Sequence, residues 1–269
     1  MSLKRRYLEQ QIELGGAELV ISSPLRPDDS PVAPVSVTPP PSEPPVPQGG
    51  VAGDESPEWL RGAPPIPGPG ITVELPEATL LDGDLDHLET LEAAATAIAG
   101  CTLCPLSAAR NKTVPGEGDP HARLMLVGEG PGAKEDATGR PFVGAAGELL
   151  NGILKAINIS RESVFIANIV KCRPPQNRKP LPDEVAACLP YLQRQVALIR
   201  PKVILALGGT AAENLLGVRK SLGQLRGQVH SYGGIPLVVT YHPAALLRNP
   251  NWKKPTWDDV RIARQLLDR

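Results

Sequence analysis

A chain of 269 residues has room for one large domain or two small ones, and it contains no unbroken apolar run of the kind that spans a bilayer. Its 28 Lys and Arg nearly balance 29 Asp and Glu, for a net charge of −1. The balance hides an asymmetry: residues 1–100 carry 5 basic and 16 acidic side chains, whereas residues 101–269 carry 23 and 13. The second part is basic, as a partner with a phosphate backbone requires, although a merely solvated basic face would read the same way.

Leu8, Ile12 and Leu19 predict a short amphipathic helix over 3–20, within a first segment 1–22. Fifteen of the 31 prolines then fall between Pro24 and Pro69. Such a stretch has little apolar surface to set against the entropy of ordering it, so residues 23–80 read as an acidic, disordered, partly polyproline linker. A single domain is expected over 81–269. Asp84 is the candidate cap of a helix through LDHLETLEAAATAIA, stopped by Gly100.

From there strands and helices alternate. Strands are predicted at RLMLVG (123–128), SVFIANIV (163–170), KVILALG (202–208) and PLVVTYH (236–242), with helices near 145–157, 182–199, 210–216 and 256–267. That rhythm predicts a largely parallel sheet with helices on both faces. Ligands of such sheets bind at the carboxyl ends of the strands. Here those ends carry GEGPG, NIVKCRPP and HPAALLRNP.

The N-terminal MSLKRRYLEQQ lacks the apolar core of a secretion signal, so the chain is expected in the cytosol, where thiols stay reduced. Its four cysteines, Cys101, Cys104, Cys172 and Cys188, then read as ligands rather than disulfides. The C-x-x-C pair after a helix is the usual way for two thiolates to reach one centre. Spacing leaves a [4Fe–4S] cluster and a structural zinc both open.

Three blocks carry a resemblance: LVGEGPGAKEDATGRPFVGAAGELL (126–150), NIVKCRPPQNRKPLPDE (168–184) and YHPAALLRNP (241–250). They resemble the signature blocks of the family 4, iron–sulfur uracil-DNA glycosylases, over about residues 85–269. The resemblance implies a three-layer α/β/α fold, a [4Fe–4S] cluster on the four cysteines, and excision of uracil from single- or double-stranded DNA. An enzyme acting on a base must rotate it out of the stack into a pocket. Phe142, one of two phenylalanines and set in a Gly/Pro-flanked loop, is the candidate stacking surface. Asn168 offers the donor and acceptor that uracil's O4 and N3–H need. His242 is the candidate donor to O2 of the departing base, and Leu246, ahead of Leu247, the wedge that fills the vacated stack. Glu135 is placed beside C5, against thymine's methyl.

Better-known glycosylases have an Asp where this chain has Gly130, so the water-activating group falls to Glu129 first and Asn177 second. Lys171, Arg173, Arg178, Lys179 and Arg248 are candidate phosphate contacts, each equally readable as plain solvated charge. The chain is read as a monomer, and the N-terminal region, outside the resemblance, as a candidate contact for a repair or replication partner. Two rival readings are a relative that traps uracil-DNA covalently and a non-catalytic iron–sulfur module of a replication complex. The first carries a His-bearing insertion that CRPPQNRKPLPDE lacks, and the second has no need of Phe142, Asn168 and His242 together.

Overall fold

The computed structural model describes residues 56–74 and 85–269; the helix expected over 3–20 lies outside them. The strands are β1 (Pro69–Val73), β2 (Glu117–Gly118), β3 (Leu124–Gly128), β4 (Phe165–Asn168), β5 (Val203–Leu207), β6 (Val229–Tyr232) and β7 (Ile235–Thr240). They form one sheet in the order β1-β6-β7-β5-β3-β4-β2. The central four, β7-β5-β3-β4, are parallel, as their unbroken apolar sequences require of strands covered on both faces.

Alternate residues of one strand enter opposite cores. Met125, Val127, Ile204 and Ala206 pack with α4 (Pro182–Ile199) and α5 (Gly209–Leu216). Leu124, Leu126, Leu205 and Leu207 pack with α3 (Ala145–Ala156) and α8 (Lys253–Asp268). The result is the expected three-layer α/β/α arrangement. The remaining helices are α1 (Leu91–Gly100), α2 (Ala133–Thr138), α6 (Leu222–Leu225) and α7 (Pro243–Arg248). Among the described residues no helix is long and apolar enough to cross a membrane.

The structure corrects three expectations. Helix α1 starts at Leu91, where the Thr90 side chain caps it by accepting from Ala93 N at 3.1 Å; the expected cap, Asp84, lies outside the described residues. The four expected strands omit β6, which Gly233 and Gly234, both at positive φ, join to β7 in a two-residue hairpin. The linker assigned to 23–80 contains ordered structure at 56–74. There Thr72 and Val73 of β1 pair with Ser231 and Tyr232 of β6, and His230 Nδ1 accepts from Ile71 N at 2.9 Å.

Trp59, in the same stretch, is 4% exposed within the α3/α8 core, and the Arg264 guanidinium stands 4.9 Å from its ring centroid. Gln265 Nε2 and Arg261 Nη1 donate to the carbonyls of Pro64 and Arg61. This segment is therefore part of the folded unit. Trp59→Ala should cost about 3–5 kcal/mol in urea denaturation, the usual range for deleting a large buried ring. A loss below ~1 kcal/mol would show that the segment only rests on the surface.

Candidate active site and cysteine cluster

Sheet register sets the site. At the carboxyl end of the parallel strands Gly128 faces Asn168, and Leu207 faces Thr240, two residues before His242. Around these ends lies a cavity of about 430 Å³, whose wall includes Glu129, Gly130, Glu135, Phe142, Asn168, Asn177 and His242. Residues from three separate sequence blocks thus meet in one place.

Asn168 is 2% exposed, and its Oδ1 is buried without a hydrogen-bond partner. An orphaned acceptor at the wall of a cavity is costly unless something binds there. Gly128 makes room for it: a Cβ at 128 would fall 2.4 Å from Asn168 Oδ1 and 2.8 Å from Phe142 Cζ. Phe142 is 7% exposed and belongs to the α3/α8 core, yet its ring borders the cavity, 5.4 Å from the His242 ring and tilted 31° to it. It is at once a core residue and a wall.

His242 is the N-cap of α7, and its Nδ1 accepts from Ala244 N at 3.1 Å. That bond leaves the proton of the neutral ring on Nε2. Burial above all, with the nearby Arg248 cation, pushes the ring's pKa down to about 4, and Glu135 only partly offsets this. At neutral pH the ring is an uncharged donor.

Glu135 Oε1 accepts from the backbone N–H groups of Val143 and Gly144, at 2.9 and 3.0 Å. It borders the cavity, but one of its oxygens is committed to the loop that follows Phe142. Glu129 and Gly130 lie on the wall, and a Cβ at 130 would come within 2.8 Å of Val170 Cγ2, so a larger residue there requires its neighbours to shift. Asn177 also reaches the wall, with its Oδ1 accepting from Arg173 Nε at 2.8 Å.

Two assignments are corrected. Leu246 is 1% exposed, turned into the protein, whereas its neighbour Leu247 is 51% exposed. A side chain that enters a base stack must first stand in solvent, which Leu246 does not. Lys171 is no phosphate contact either: it is 1% exposed, and Nζ donates to Asn168 O at 3.0 Å and Gln195 Oε1 at 2.7 Å. Burial lowers its pKa to about 8, opposed by Cys188. Its place in the apolar run NIVKC was the available signal. Arg178 is paired bidentately with Glu184, which in turn accepts from Leu181 N at the start of α4. Lys179 and Arg248 are exposed beside the cavity.

The four thiols meet elsewhere. Cys101 ends α1, Cys104 precedes the turn Pro105–Ala108, Cys172 follows β4, and Cys188 lies within α4. All four line one small cavity. Among the described residues no three Cys, His, Asp or Glu side chains stand as a closed ligand set, but the shared cavity is the better guide to what the sulfurs could grip together. Arg110 Nη1 donates to Cys172 Sγ at 3.2 Å, and Lys171 N donates to Cys188 Sγ at 3.2 Å. Burial pushes the Cys188 thiol up to about 11 and raises Cys172 as well. Such thiols stay protonated unless a metal displaces the proton.

Comparison with known proteins bears on this geometry. Residues 115–263 match the family model described as the uracil DNA glycosylase superfamily. A type-4 uracil-DNA glycosylase of Thermotoga maritima is 47% identical over 185 residues, covering 67% of this chain and 96% of that one. One of Pyrobaculum aerophilum is 48% identical over 161 residues, 57% of this chain and 82% of the other. A type-5 uracil-DNA glycosylase of Thermus thermophilus is 37% identical over 151 residues, 49% and 68% of the two chains.

Proposed function

The chain belongs to the uracil DNA glycosylase superfamily, in its type-4 group, and from that premise we propose that it flips uracil out of DNA and hydrolyses the N-glycosidic bond. The product is an abasic site for base-excision repair. The observation that carries this reading is the buried, unpartnered Oδ1 of Asn168 at the cavity wall.

Uracil presents N3–H to that oxygen and O4 to the amide N–H of the same side chain. Cytosine offers an acceptor and a donor in the opposite order and leaves both bonds unmade. Phe142 supplies the stacking surface for the extruded base. As the glycosidic bond breaks, negative charge gathers on O2, where Nε2–H of neutral His242 donates. Glu129 is the first candidate to orient the attacking water and Asn177 the second, with its amide N–H₂ as well as the oxygen that Arg173 holds. Glu135 stands beside C5. The wedge role passes to Leu247, which is exposed on the six-residue helix that His242 caps.

Cys101, Cys104, Cys172 and Cys188 would hold a [4Fe–4S] cluster, which supplies a structural cross-link and no step of the hydrolysis. The residues fit: four sulfurs share a cavity, and two of them accept hydrogen bonds from Arg110 and the Lys171 backbone. The protein is read as a monomer of the reducing cytosol, with its N-terminal region as the candidate contact for a repair or replication partner.

The test is an oligonucleotide with one uracil, incubated with full-length protein and then cleaved with alkali. The wild type should cut at uracil and leave cytosine intact; an untouched uracil strand would sink the reading. Asn168→Asp should slow uracil excision and allow cytosine excision, because an ionised carboxylate accepts from N4–H₂. Full-rate uracil excision with no cytosine cleavage would remove Asn168 from base reading.

A further inference from the structure

Phe142 holds a conformation its own residue type disfavours. Its φ of 51° lies in the left-handed region, where a side chain with a Cβ persists only if its surroundings enforce it. Two opposite charges grip the turn by opposite backbone poles. Glu135 Oε1 takes the N–H groups of Val143 and Gly144. Arg161 takes the carbonyls: Nη2 donates to Pro141 O at 2.6 Å and Nη1 to Phe142 O at 3.2 Å.

Arg161 is itself fixed. Its side chain is 15% exposed, Nη1 also donates to Asn151 Oδ1 of α3 at 3.0 Å, and Nε stands 3.7 Å from Glu117 Oε1. Glu117 is held in turn by Arg140 at 2.6 and 2.8 Å. The first turn of α3 closes on the same carbonyl: a Cβ on Gly147 would fall 1.8 Å from Phe142 O. Glu135 borders the cavity on which Phe142 presents its ring, whereas Arg161, Glu117, Arg140 and Asn151 do not.

We propose that Arg161 is a positioning residue for base capture, locking the 141–144 turn from its carbonyl side so that the Phe142 ring is preset for stacking before DNA arrives. This rests on the uracil-excision reading above. A preset platform spares the complex the ordering of a loop at the moment of binding. The guanidinium suits the task because its rigid fork reaches two carbonyls and a carboxylate together, which a lysine ammonium cannot.

The experiment is a double-mutant cycle in the full-length protein, read as single-turnover uracil excision at saturating enzyme. Arg161→Ala should slow excision about tenfold or more, since ångström-scale misplacement of a positioning group has effects of that order. Affinity for uracil-free DNA should stay within about twofold, and Arg161→Lys should recover only part of the rate. In a Phe142→Ala background, Arg161→Ala should add little further loss, because both changes remove the same element. Equal fold losses with and without Phe142 would overturn the proposal. A Phe142→Ala protein excising at the wild-type rate would overturn the stacking assignment first, and this proposal with it. Should Arg161→Ala fail to fold, Glu117→Gln serves instead: a smaller loss that vanishes without Phe142 supports the clamp, and no loss overturns it.

Discussion

His242→Ala should lower single-turnover uracil excision by roughly two orders of magnitude while DNA affinity stays nearly constant, the signature of a donor used in the transition state. The Nδ1 bond to Ala244 N leaves Nε2 as the proton-bearing nitrogen, and a pKa of about 4 keeps the ring neutral. A neutral donor does not surrender its proton outright; it stabilises charge as that charge forms. The wild-type rate should therefore show no ordinary histidine titration between about pH 5.5 and 8. A His242→Ala rate within about threefold of wild type would exclude the ring from the mechanism.

Stability has its own pH signature at this residue. The folded-state pKa lies below the ordinary 6.5, so the unfolded chain takes up the proton first. The contribution is fully present above about pH 6.5 and is lost as pH falls toward about 4. Thermal melts of wild type and His242→Ala across that window should converge on acidification.

Cys172→Ser should remove iron and acid-labile sulfide together and lower the melting temperature by roughly 10 °C or more, as expected when several kcal/mol of cross-linking are lost. In the proposed cluster the four cysteines would tie together the end of α1, the turn after it, the segment beyond β4 and the middle of α4. Serine keeps the size of the 6%-exposed side chain but is a poor cluster ligand. The damage should reach the active site, because Lys171, adjacent to Cys172, holds the carbonyl of Asn168. Excision should fall in parallel with iron content. Wild-type protein carrying stoichiometric zinc without sulfide would overturn the cluster assignment, and a variant keeping its full iron would free Cys172 from ligation.

Much of the molecule was legible in its residues alone. The apolar runs LMLVG, FIAN, VILAL and LVVT are buried on both faces, which only a covered parallel sheet provides, and helix 182–199 was readable to its ends. The chemistry-bearing blocks had to fall at strand ends, since Gly, Pro and Asn there stop the strands and open the backbone. Cys101, Cys104, Cys172 and Cys188 were identifiable as one set, and they do share a cavity.

Other features were decided only by the tertiary structure. PGITV carries no strand signal inside a proline-rich stretch; it becomes β1 because β6 offers an open edge, with Ile71 bonded to a histidine 159 residues away. Leu246 and Leu247 are alike as residues, and the packing of their short helix buries one and exposes the other. Lys171 looked like surface charge until the fold placed its ammonium between Asn168 and Gln195. Arg161 gave no local sign of gripping Pro141 and Phe142. Local pattern records which positions must leave water, because burial is a property of each side chain. Which neighbour meets a buried or charged group depends on chain segments far apart in sequence, and only their packing settles it.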